Sequence, residues 1–125
     1  MISTLIGLAF SLFGGETIVY AAVEEEPPVV LKKEVLTIED RVRREFEDVP
    51  IMIEVARCES GFKNVPSVSG DFGPFQINQV HLEEMKLMGL NRIDVDDNLK
   101  FARILYARNG LRDWKNSEHC WGKHR

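Results

Sequence analysis

The chain has 125 residues, which is room for one domain once any non-globular end is set aside. Its 44% hydrophobic and 29% charged residues are ordinary for a globular protein. With a net charge of -4 and basic residues scattered among acidic ones, it lacks the basic, aromatic-interleaved patch of a nucleic-acid binder.

An almost uninterrupted apolar run from Ile2 to Phe13 opens the chain, followed by Gly14, Gly15 and then Val19, Tyr20, Ala21 and Ala22. The run is shorter than the roughly 20 residues of a bilayer span. Residues 1–22 therefore read as a signal peptide with small residues at the cut, although no Lys or Arg precedes the run and Glu16 interrupts it. This predicts an exported protein with no stable membrane span after processing. Residues 23–36 follow as a solvated linker, with Glu24 to Glu26 leading into Pro27 and Pro28. The domain is expected over residues 37–125.

Thr37 and Asp40 have capping-box spacing, and Val42, Phe46, Val49, Ile53 and Ala56 recur at helical intervals. Proline suits a first turn and not a helix interior, so Pro50 divides this face into helices over residues 38–48 and 50–60, the second stopped by Gly61. Between Phe62 and Asn78 the composition turns to Gly, Pro, Ser, Asn and Phe, which reads as a loop or small hairpin. Helical spacing returns at Leu82, Met85 and Met88, with Asn78 placed to cap. A long helix is expected over residues 96–109 and stops at Gly110. Ser117 is expected to cap a last turn carrying Cys120 and Trp121. Trp114 and Trp121 read as packing residues, with sugar stacking as the alternative.

The two cysteines, Cys58 and Cys120, would persist as a disulfide in an oxidising compartment, against two buried free thiols as the other reading. His119, Cys120 and His124 cluster without the paired spacing of a structural zinc site, so no metal is expected.

Glu59 lies in the last turn of its helix, where the negative end of the dipole raises a carboxyl pKa, and Phe62, Phe72 and Phe75 nearby in sequence would desolvate it. An acid that keeps its proton well above the usual value of about 4.3 can protonate a leaving oxygen. Taken alone, a glutamate in a last helical turn is more commonly a solvated surface residue.

The blocks Ala56-Arg57-Cys58-Glu59-Ser60-Gly61-Phe62 and Gly73-Pro74-Phe75-Gln76-Ile77-Asn78 resemble, in order and spacing, the lysozyme-like domain of lytic transglycosylases, over residues 41–121. The resemblance implies a mainly α, lysozyme-like α+β domain with its catalytic loop after the Glu59 helix. It also implies cleavage of the bond between N-acetylmuramic acid and N-acetylglucosamine in peptidoglycan, with Glu59 as acid and then base. No cofactor is implied, and the expected partner is the peptidoglycan glycan strand, cleaved by a monomeric protein. Ser60, Phe75, Gln76, Asn78 and Tyr106 become candidate substrate contacts, with loop capping as the other reading for Gln76, capping of the next helix for Asn78, a bond to its own helix backbone or the orienting of Glu59 for Ser60, and a mainly core role for Tyr106. Asp71 is the only acid within the loop. As a second carboxylate it would make the enzyme a hydrolytic muramidase; as a turn residue it would leave the substrate's acetamido group to assist departure. The family's late Ala-Tyr-Asn-Ala-Gly block has no counterpart here, where Trp114 to Trp121 stand instead. That departure keeps a non-catalytic glycan-binding module in view.

Overall fold

The computed structural model describes residues 6–13, 16–28 and 34–125. The chain divides after Glu34 into two units. In the first, β1 (Ile6–Phe13) pairs antiparallel with β2 (Glu16–Val23), Ile6 opposite Val23 and Phe13 opposite Glu16. Residues 1–5 and 14–15 of the expected leader, and 29–33 of the expected linker, lie outside the described residues. Among the described residues no helix is long and apolar enough to cross a membrane.

The second unit is a small, mainly helical domain. Helix α1 (Ile38–Glu45) opens with the capping box: Thr37 Oγ1 accepts from the Asp40 amide, and Asp40 Oδ2 accepts from the Thr37 amide, both at 3.1 Å. It stops three residues short of the expected end. The Glu45 carbonyl accepts from Arg103 Nη2, and the Val49 amide turns to Phe46 O instead, at 2.9 Å. Pro50 then starts α2 (Pro50–Ser60), which ends on Gly61 in the left-handed conformation. The loop after α2 carries a minimal hairpin, β3 (Asp71–Phe72) against β4 (Ile77–Asn78). Asn78 caps the following 3-10 turn by accepting from the Val80 amide at 3.0 Å. Two helices follow, α3 (Leu82–Leu87) and α4 (Val95–Asn109), the latter capped by Asp94. A 3-10 stretch, Arg112–Ser117, leads into α5 (Glu118–Trp121).

Apolar faces meet in one core: Val42 from α1 and Phe46 just after it, Met52, Val55 and Ala56 from α2, Leu99, Phe101, Ala102 and Leu105 from α4, with Trp114 and Trp121. Phe75, from the loop, stands among them with its ring edge-on to Phe46 at 5.0 Å and to Trp114 at 6.0 Å. Asn98, the one buried polar side chain among the described residues, holds the loop in place. Its Nδ2 donates to Phe72 O (2.9 Å) and Arg92 O (3.0 Å), and its Oδ1 accepts from the Phe75 amide (3.2 Å). All three of these bonds are to loop backbone, so the buried amide is matched at both ends.

Cys58 and Cys120 form a disulfide across a sequence separation of 62 residues, tying α2 to α5. Closing a loop of that length stabilises the fold by about 4 kcal/mol in the chain-entropy account. Reduction with a dithiol is therefore expected to lower the thermal midpoint by at least roughly 15 °C; calorimetry with and without reductant checks this, and an unchanged midpoint contradicts it. The clamp makes a second prediction. Gly73 has φ 88°, and a Cβ there would lie 2.3 Å from Asn98 Nδ2. Gly73→Ala should cost about 3 kcal/mol in chemical denaturation, from backbone strain plus unmade buried hydrogen bonds.

Candidate active site

The end of α2 is fixed from three sides, and Glu59 sits at the junction. Behind it, Cys58 is bonded to Cys120. Beside it, Ser60 Oγ bridges Ala56 O (3.2 Å) and Pro74 O (2.8 Å) and accepts from the Lys63 amide (3.2 Å), stitching the helix to the loop. Ser60 thus has a structural task and is absent from the cavity wall. In front, Ser117 Oγ donates to Glu59 Oε1 at 2.5 Å.

Glu59 is half-buried on a cavity of about 390 Å3. One wall comes from the loop and hairpin, with Ser69, Asp71, Gln76 and Asn78. The other comes from the segment after α4, with Asp113, Trp114 and Asn116; Ile77, Leu105 and His81 complete the lining. Burial pushes the Glu59 pKa up and is the largest influence; the Ser117 hydroxyl pulls it down, and the negative charge of Asp71 pushes it up again.

The expected phenylalanine wall is not there. Phe62 lies under the Arg43 guanidinium and Phe72 under that of Arg92, each 5.9 Å from ring centroid to charge. Phe75 is fully buried, so the expectation that it touches substrate is overturned: its ring fills the core and its carbonyl accepts from Trp114 Nε1 at 3.0 Å. Ile77, Leu105 and Trp114 supply the apolar side of the cavity instead. Tyr106 packs against the core and does not line the cavity.

Gln76 and Asn78 both face the cavity. The strand begins at Ile77, and Gln76 precedes it with φ 49°, a left-handed conformation uncommon outside glycine. Gln76 Nε2 braces the loop through Val65 O (2.9 Å) and Gly73 O (3.0 Å), leaving Oε1 without a partner among the described residues. Both ends of the Asn78 amide serve the fold. Its Oδ1 caps the 3-10 turn, and its Nδ2 donates to Asp71 Oδ1 at 2.8 Å. Asp71 Oδ2 in turn accepts from Ser67 Oγ (3.3 Å) and Ser69 Oγ (2.9 Å), the local pattern of a turn aspartate.

Ser117 stands at the expected cap position before α5, but its hydroxyl makes no capping bond and goes to Glu59. The disulfide carries the signal that points to it: Cys58 adjoins Glu59, and Ser117 stands one turn before Cys120. Trp121 Nε1 donates to Ser117 Oγ (3.1 Å) and Trp114 O (3.0 Å), so both tryptophans pack and brace this segment. The Cys120 sulfur is taken up in the disulfide with Cys58, and among the described residues no cluster of His, Cys, Asp or Glu is placed to hold a metal ion.

No protein-family model matches the chain, and neither curated proteins nor solved structures give a significant match.

A carboxyl whose folded pKa lies above its unfolded value binds protons more tightly in the native state. Below that pH both states are protonated and nothing is lost. As pH rises past it the unfolded state ionises first, so the native state loses stability until Glu59 itself ionises. Glu59→Gln removes this loss and keeps an acceptor for Ser117. Its thermal midpoint should exceed that of the wild type by more at pH 7 than at pH 4. A gap that is constant or shrinks with pH contradicts the raised pKa.

Proposed function

We propose that this protein cleaves the β-1,4 bond between N-acetylmuramic acid and N-acetylglucosamine in peptidoglycan, by lytic transglycosylation, with Glu59 as general acid and then general base. The observation that carries the reading is a half-buried glutamate, raised in pKa and held by a serine, on the wall of a polar cavity. The two sequence blocks around Glu59 and Gln76 give it its substrate.

In this mechanism the Glu59 proton passes to the glycosidic oxygen as the C1–O bond breaks. The departing bond's electrons stay with that oxygen, and the acetamido oxygen of the same sugar closes onto C1. Glu59, now a carboxylate, takes the proton of the 6-hydroxyl. That oxygen attacks C1, expels the acetamido oxygen and leaves a 1,6-anhydro ring. Glu59 ends protonated, and no water is consumed. Gln76 Oε1 is a hydrogen-bond acceptor suited to an amide N–H or hydroxyl of the sugar. The Asp71 carboxylate, engaged by Ser67, Ser69 and Asn78, acts through its charge on Glu59 rather than as a nucleophile. The substrate lies outside the cytoplasm, a compartment compatible with the disulfide.

A hydrolytic muramidase is the second reading, favoured by Asp71 standing on the same cavity. Digestion of purified peptidoglycan followed by mass spectrometry separates the two. The transglycosylase leaves ends one water lighter than ordinary reducing ends, and Glu59→Gln loses about 10²-fold or more of the rate while still binding the wall. Ordinary reducing ends sink the first reading in favour of the second. If wild type and Glu59→Gln bind alike and neither cleaves, the domain is a glycan-binding module.

A further inference from the structure

The C-terminal segment does more than close the fold. A serine hydroxyl has one hydrogen, and that of Ser117 has two acceptors within reach: Glu59 Oε1 at 2.5 Å and Trp114 O at 3.1 Å. Trp114 O already accepts from Trp121 Nε1 at 3.0 Å, so it stays satisfied when the hydroxyl turns to Glu59. The same indole N–H lies 3.1 Å from Ser117 Oγ, on the acceptor side of that oxygen. Trp121 is fully buried, and the neighbouring Cys120 is bonded to Cys58, so the serine hangs from a fixed frame. Of the two Glu59 oxygens, Oε1 takes the serine hydrogen and Oε2 takes no hydrogen bond among the described residues.

We propose that Ser117, pinned by the Trp121 indole, is the positioning residue of Glu59: by donating to Oε1 it assigns the transferable proton to Oε2 and fixes the carboxyl plane. A neutral carboxyl accepts through its carbonyl oxygen and carries its hydrogen on the other, so donation to Oε1 leaves Oε2 as the acid. Once Glu59 has given up the proton, the same bond stabilises the carboxylate that must next act as base. One contact thus serves both halves of the reaction. The inference rests on the acid–base role proposed for Glu59.

The direction of a pKa change distinguishes positioning from plain structural support. Deleting the hydroxyl removes a bond that favours the ionised form, so Glu59 should titrate at higher pH. Loosening the segment would instead let water in, and Glu59 would titrate lower, nearer its ordinary range. The other titratable groups on this cavity, Asp71, His81 and Asp113, are the same in every variant compared.

The test uses the full chain with Ser117→Ala and Ser117→Thr, following the Glu59 carboxyl by carbon-13 NMR titration and wall cleavage by kcat and KM. The expected result for Ser117→Ala is titration at higher pH than the wild type, kcat lower by roughly ten- to a hundredfold, and an unchanged KM. The alkaline limb of its rate profile moves up with the titration. Ser117→Thr, which keeps the hydroxyl, restores both titration and kcat. A Glu59 titration that is unchanged or falls in Ser117→Ala overturns the contact. A titration that rises with kcat unaltered overturns the positioning role. A wild type that cleaves no wall polymer overturns the reading of function itself, whatever the titration shows.

Discussion

The fold depends on a short loop drawn through the core. From Phe72 to Gln76 the backbone is held by side chains from three directions: Asn98 on Phe72 O and the Phe75 amide, Ser60 on Pro74 O, and Trp114 on Phe75 O. The middle of the loop is buried, which backbone tolerates only when its polar groups are matched within the protein. Phe75 then acts as a core residue contributed by a loop. Because α1, α2, α4 and the C-terminal segment all pack on it or bond to it, the same few residues set both the core and the far wall of the cavity.

Glu59 inherits its properties from that arrangement. Burial disfavours its charge, Asp71 adds a like charge, and Ser117 restores some favour to the ionised form. The balance leaves a carboxyl that holds its proton above the ordinary range yet can release it, the combination a residue needs to act as acid and then base. The frame around it is covalent on one side, through Cys58 and Cys120, and hydrogen-bonded on the other, through Ser60 and Ser117. Precision at position 59 is therefore a joint property of α2 and the C-terminal segment, 58 residues apart from acid to serine.

Local physics was legible in the residues alone. The capping box at Thr37, the proline-started helix ending at Gly61 and the Asn78 cap are each decided within a few residues, and each is found. Long-range competition was not. Helix α1 ends early because Arg103, from α4, takes the Glu45 carbonyl. Phe75 looked like a binding residue because it stands in the block that resembles a groove-lining segment; only the folded chain shows that its ring turns inward. Ser117 looked like a cap because serine before a short helix usually is one. Its partner is Glu59, and nothing in local pattern joins positions so far apart, although the cysteine pair beside each supplies the link. Asn98 reads as an ordinary polar helix position until Gly73 is placed against it.

The central claim is that the cavity beside Glu59 seats a sugar chain with its scissile bond against that carboxyl. The most direct measurement is a crystal structure of the Glu59→Gln protein with a peptidoglycan fragment long enough to span the cavity. The account predicts a bridging glycosidic oxygen within about 2.6–3.2 Å of the side chain at position 59, with the sugar's amide or hydroxyl groups on Gln76. A glycan seated on another face, or one in this cavity with no glycosidic oxygen near position 59, would contradict it.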